Sequence, residues 1–228
     1  MKQLFVLTAI VLLTVTACKK DHSADPDAEK EVSFTNILIL GNSITYSPAD
    51  SSIGWNGSWG MAASAPEKDY VHLLTTKFKQ SNASAVVKVL NISAFERNSE
   101  TYDFDAALKS YRENKPDLLI IRIAENVDSK FDSVAFAKRY QALLAYMKIG
   151  NPDLKILAAG SFWPDREYVN VILSRYSPYV SLNFLGNDIS NYAFDMQNVS
   201  DAVKGHPGDE GMQGIAETIW AKVEELNK

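Results

Sequence analysis

Ser43, Asn126 and His206 are the residues of this chain whose types and places could do chemistry together. A serine hydroxyl attacks an acyl carbon at neutral pH only when a base takes its proton, and histidine is the usual base. The oxyanion that then forms needs fixed donors, which an asparagine amide and the N–H groups of a turn can supply. Ser43 follows an unbroken aliphatic run, Ile37-Leu38-Ile39-Leu40, through Gly41-Asn42. Asn126 follows a second run, Leu118-Leu119-Ile120-Ile121-Arg122-Ile123, through Ala124-Glu125. His206 stands in Gly205-His206-Pro207-Gly208, directly before the last amphipathic segment. Each has a plain structural alternative: a helix cap for Ser43 or His206 and a turn for Asn126. Their common place at the ends of elements favours the chemical reading.

Those ends belong to an alternating pattern. Strand-like runs fall at 36–40, 86–92, 117–123, 155–159 and 179–184, and helical spacing at 69–80, 101–114, 132–149, 166–176 and 209–226. The last segment carries Met212, Ile215, Ala216, Ile219, Trp220, Val223 and Leu226 as one apolar stripe. Aliphatic runs on consecutive residues mark strands covered on both faces. The pattern predicts a three-layer α/β/α domain around a five-stranded, mainly parallel sheet. Ligands of such sheets bind at the carboxyl ends of the strands, where Ser43 and Asn126 fall.

Residues 47–66 interrupt the alternation with a loop of small residues carrying Trp55 and Trp59. A long loop in a compact domain is commonly functional. Both tryptophans are candidate substrate-binding residues, able to stack on a sugar or grip an acyl chain; plugging the loop against the domain is the alternative. Trp163, after the fourth strand, is a further candidate cleft wall.

A net charge of −5 over 228 residues argues against a nucleic-acid partner. Three histidines and one cysteine show no zinc spacing, so no metal site is expected. The apolar run from Leu4 to Ala17 is too short to span a bilayer and reads as an export signal. It ends Val15-Thr16-Ala17-Cys18, which resembles the lipobox of bacterial lipoproteins. The expected organisation is a signal over 1–18, a polar tether over 19–33 and a domain over 34–228. The protein is then exported to the cell envelope and held at the membrane by a lipid on Cys18.

From Asn36 to the final helix the chain resembles the SGNH hydrolase superfamily, the GDSL-like lipases and esterases. Gly41-Asn42-Ser43-Ile44-Thr45 matches the family's first block with asparagine in place of aspartate. Ala124-Glu125-Asn126-Val127 matches the third block in part, and His206-Pro207 matches the fifth. The resemblance implies a flavodoxin-like fold and cofactor-free ester hydrolysis, with Ser43 as nucleophile and His206 as base. It implies oxyanion donors from the Ser43 amide, Asn126 and an amide near Ala94, although Asn91–Arg97 lacks the family's glycine. The family's acid lies three residues before the histidine, where this chain has Val203. Support for His206 therefore stays open between Asp201 through a shifted loop, a backbone carbonyl near Val203, and Glu96 or Glu125. Both glutamates are also candidate substrate-binding residues, with ion pairing to Arg97 or Arg122 as the alternative. The expected function is hydrolysis of short acyl esters, acetyl above all, on carbohydrate. A glycan-binding protein without turnover and a lipase or thioesterase are the alternatives.

Overall fold

The computed structural model describes residues 32–227; the expected export signal, Cys18 and most of the expected tether lie outside the described residues. Five parallel strands form one sheet: β1 (Asn36–Gly41), β2 (Val86–Asn91), β3 (Leu118–Arg122), β4 (Lys155–Ala159) and β5 (Tyr179–Val180), in the order β2-β1-β3-β4-β5. The sheet is wholly parallel, and its last strand is two residues long rather than the six-residue run expected at 179–184.

Successive side chains of a strand point to opposite faces, and both faces are filled. Ile37 and Ile39 of β1 and Leu118 and Ile120 of β3 enter one apolar cluster, with Leu74, Phe78, Ile219 and Val223. These last four come from α1 (Tyr70–Ser81) and α7 (Asp209–Leu226), whose Phe78 and Trp220 rings meet edge-on at 5.1 Å. Leu38, Leu40, Leu119 and Ile121 enter the other cluster. It is covered by α3 (Phe104–Glu113), α4 (Ser133–Met147) and α5 (Glu167–Tyr176). Burial on both sides is why β1 and β3 read as unbroken aliphatic runs. Asp69, Asp103 and Asp132 cap α1, α3 and α4 by accepting hydrogen bonds from backbone N–H groups of the first turns.

Two short helices have no periodic signal in the sequence: α2 (Ser93–Arg97), directly after β2, and α6 (Asp201–Lys204), directly before His206. The chain runs from β1 to β2 on one side and later returns to β3 on the other. The strand order thus reverses beside β1, and open α/β sheets place their crevices at the carboxyl ends of the strands at such a point. Ser43 follows β1, Ala94 and Glu96 follow β2, and Glu125 and Asn126 follow β3 around that point.

Candidate active site

Gly41 ends β1 because the turn leaves no room for a side chain. A Cβ there would lie 1.8 Å from the Thr45 hydroxyl, which is tucked beneath and bonded to the Tyr70 hydroxyl at 2.6 Å. The turn closes on Asn42, whose carbonyl accepts from the Thr45 and Tyr46 amides. Ser43 is left half-buried, with Oγ 2.8 Å from Nε2 of His206.

His206 is held from behind. Its Nδ1 lies 2.8 Å from the carbonyl oxygen of Ala202, one of the last carbonyls of α6 and so free of a helical partner. A carbonyl only accepts, so in this contact Nδ1 carries the proton and Nε2 keeps its lone pair for the Ser43 hydroxyl. That is the tautomer a general base needs. Burial, opposed by the Ala202 hydrogen bond, holds the His206 pKa below the ordinary histidine range, so the ring is neutral at pH 7. The Trp163 ring meets His206 edge-on at 5.8 Å, and its indole N–H donates to the Gly205 carbonyl at 2.9 Å.

Asp201 does not serve as the acid. Its side chain is fully exposed, 3.6 Å from Lys204, while the nitrogen it would have bonded is taken by Ala202. Val203, at the family's acid position, is buried among Trp55, Met61 and Ala193. The turn of α6 thus points that position into an apolar cluster and delivers a carbonyl to the histidine. Replacing Asp201 with asparagine should leave kcat for a chromogenic ester within about twofold, since an exposed ion pair contributes little. A loss of a hundredfold in that assay would restore Asp201 to the site.

Glu96 and Glu125 also stand elsewhere than in an open cleft. Both are buried, and Asn42 lies between them with Nδ2 3.1 Å from Glu96 Oε1 and 2.6 Å from Glu125 Oε2. Fully buried Arg122 donates to Glu125 Oε1 at 2.8 Å and to Asn42 Oδ1 at 2.7 Å. Glu125 additionally accepts the Phe162 amide at 2.9 Å. Burial would push the Glu125 carboxyl up, but the Arg122 guanidinium and these hydrogen bonds together hold it below the usual range. Burial and the Glu125 charge push Glu96 the other way, up to about 7. The ion pair Glu125–Arg122 was one of the alternatives left open by the sequence; Glu96 binds asparagines and amides instead of Arg97. Arg122 and Asn42 thus join both glutamates in one buried network, which the sequence does not reveal as a unit. A lone arginine inside a run of Leu and Ile was the available signal, because a buried charge requires a partner.

Asn126 is held at both ends. Its Nδ2 donates to Glu96 Oε2 at 2.8 Å, and its Oδ1 accepts from Arg97 at 2.9 Å. An amide nitrogen has two hydrogens, so one is left for an oxyanion. The Ala94 amide lies in the first turn of α2, where backbone N–H groups have no intrahelical acceptor.

Ala124 occupies the family's third-block glycine position at φ +144°, a region that L residues avoid. Its amide is fixed by Glu96 Oε1 at 2.7 Å. The exchange of glycine for alanine is therefore a strained one. Ala124→Gly should raise stability by about 1 kcal/mol, as relief of roughly 2 kcal/mol of strain exceeds the added chain entropy of glycine. Urea unfolding checks this, and a lower midpoint with unchanged slope would contradict it.

The tryptophans of the 47–66 loop serve largely to hold it together. Trp55 is buried against Met61, Ala62, Ala193 and Val203, out of reach of a substrate, so packing and not binding is its role. Trp59 is half-buried, edge-on to Trp55 at 5.4 Å, and its indole N–H donates to Ala63. The loop is tied to the nucleophile turn by the Met61 amide on the Ser43 carbonyl at 2.9 Å. Asp69 binds the Gly60 amide, and Asp209 at the start of α7 binds Ser64.

No family model matches the sequence, and no curated protein matches it. Solved structures do resemble the fold. A two-domain esterase active on acetylated mannans, co-crystallised with mannopentaose, aligns over 85% of this chain and 50% of its own at 19% identity, with a TM-score of 0.58. A family two carbohydrate esterase from Clostridium thermocellum, in complex with cellohexaose, aligns over 84% and 64% at 18% identity and 0.52. The psychrotrophic esterase EstA from Pseudoalteromonas sp., inhibited by monoethylphosphonate, aligns over 84% and 98% at 17% identity and 0.53. The chain has the SGNH hydrolase fold. It spans half to just under two thirds of the length of the first two proteins.

Proposed function

We propose that this chain is a serine esterase that removes short acyl groups from carbohydrate esters. The observation that carries the reading is the line Ser43 Oγ, His206 Nε2, His206 Nδ1 and Ala202 carbonyl, with both hydrogen bonds at 2.8 Å. His206 Nε2 takes the Ser43 proton as Oγ bonds to the ester carbon and the carbonyl electrons move onto oxygen. The Ser43 amide, the free Asn126 N–H and the Ala94 amide receive that charge. Collapse breaks the bond to the sugar oxygen, which takes the proton back from Nε2. Water, deprotonated by His206, then bonds to the acyl carbon, and collapse breaks the carbon–Oγ bond as Nε2 returns the proton to Ser43 and the acid leaves.

A carbonyl in place of a carboxylate sets the tautomer but brings no full charge to the imidazolium. The deficit is met in part by the field of Glu125, which favours protonated His206. Carbohydrate is supported by two fold neighbours, one active on acetylated mannans and one in complex with cellohexaose. A short acyl group is supported by the fold neighbour active on acetylated mannans. We place the enzyme at the cell envelope through lipidated Cys18.

Release of acetate from acetylated mannan and acetylated xylan by the full chain tests the substrate class. Comparison of p-nitrophenyl acetate with longer acyl chains tests the acyl preference. A better rate on p-nitrophenyl palmitate would favour a lipase, and polysaccharide binding with no acetate release would favour a binding protein.

A further inference from the structure

Glu96 has no place in the proton transfers, yet it is among the most heavily hydrogen-bonded side chains near Ser43. Its Oε1 accepts the Ala124 amide at 2.7 Å, the Asn126 amide at 3.3 Å and Asn42 Nδ2 at 3.1 Å. Its Oε2 accepts Asn126 Nδ2 at 2.8 Å. One carboxylate on α2 thus grips the backbone and side chain that follow β3, and through Asn42 the turn that follows β1. Arg97, one residue on, holds the other end of the Asn126 amide and is itself steadied by the Ser93 hydroxyl at 2.9 Å.

We infer that Glu96, with Arg97, is the positioning residue of the oxyanion donors: it fixes the Asn126 side chain so that its second N–H faces the acyl oxygen. The inference rests on the esterase reading and gives the pair a role in kcat rather than in substrate binding. It also accounts for the buried position of Glu96. A rigid donor costs no reorganisation as charge develops, whereas an asparagine free to turn would have to be ordered in the transition state.

The grip depends on charge. All of the lone pairs that Glu96 uses face donors, so a proton on Oε2 would stand against the Asn126 N–H. The groups that face Glu96 are Glu125 and Arg122 at the end of β3, Arg97 on its own helix, and Asn42 and Asn126. Tyr70 of α1 and His206 act on the same cluster through Arg122 and Glu125. With Glu96 titrating near 7 and His206 below its ordinary range, two ionisations govern the acid side of the activity. Both must lose a proton, so activity rises with pH, and the higher step belongs to Glu96.

The test uses the full chain and p-nitrophenyl acetate, with Ser43→Ala as the reference for the esterase reading. Glu96→Gln keeps the volume but turns an NH2 against one of the donors. It should lower kcat by about a hundredfold with KM little changed. The upper ionisation should vanish from its pH profile, leaving the lower one of His206. Arg97→Ala removes an exposed side chain and should lower kcat by about tenfold if Glu96→Gln fails to fold. Wild-type kcat and an unchanged acid limb in a folded Glu96→Gln, or wild-type kcat in Arg97→Ala if that variant alone folds, would overturn the inference. Should Ser43→Ala retain wild-type activity, the esterase reading fails first, and the contact is judged without turnover. The 15N–1H signals of the Asn126 side chain should then titrate near neutrality in the wild type and not in Glu96→Gln. Signals that ignore pH in the wild type would refute the contact itself.

Discussion

Ser43→Ala should reduce the hydrolysis of p-nitrophenyl acetate by about ten-thousandfold or more, with the fold unchanged. Removing the nucleophile of a serine hydrolase leaves only what the oxyanion donors contribute, and the expected loss is of this size. The half-buried Ser43 side chain packs little, so thermal unfolding should stay within about 1 °C of the wild type. His206→Ala should cost about as much, because the two act as a unit and their effects do not add. The double variant should be no worse than either single one. Activity within tenfold of the wild type in Ser43→Ala would remove Ser43 from the reaction.

Asn42→Asp should destabilise the protein by about 3 kcal/mol at pH 8. Here the side chain lies between two buried carboxylates and donates to both, at 3.1 and 2.6 Å. An aspartate loses both donations and adds a third negative charge around the single guanidinium of Arg122. The cost must depend on pH. Glu96 already sits near 7, above its ordinary carboxylate value, because of burial and the Glu125 charge, and a third carboxylate raises the cluster further. A raised folded pKa means that the native state binds more protons than the unfolded chain. Stability is then fully present below the unfolded value and lost as pH rises through the folded one. The deficit of Asn42→Asp should therefore shrink between pH 8 and pH 5. Urea unfolding at both values measures it, and a deficit that grows on acidification would contradict the arrangement.

Much of this was legible in the sequence, and the limits have physical causes. Doubly covered strands have to be aliphatic at every position, so β1 and β3 announced themselves and their ends located Ser43 and Asn126. The 18-residue stripe of α7 placed His206-Pro207 directly before a helix. The one-turn α6 escaped notice because four residues are too few for a helical period. With α6 unseen, Ala202 gave no sign that its carbonyl would meet the histidine, although a carbonyl near Val203 had been one of the alternatives. Asp201 looked available only because sequence distance says nothing about which way a turn points its side chains. Glu125 lies just past β3, whereas Glu96 sits on α2 rather than at a strand end, and their burial follows from Arg122 and Asn42, which lie far apart along the chain. Trp55 illustrates a general ambiguity: a tryptophan in a loop of small residues packs as readily as it binds, and Val203 provided the surface.

The account depends above all on Ser43 being the reactive hydroxyl, and covalent labelling measures that directly. The full chain is treated with a fluorophosphonate, and its intact mass and peptide map are read before and after. The account predicts one adduct per chain, on the peptide containing Ser43, formed more slowly below neutral pH as His206 and Glu96 take up protons. A chain that stays unlabelled, or an adduct on any other serine, would contradict it.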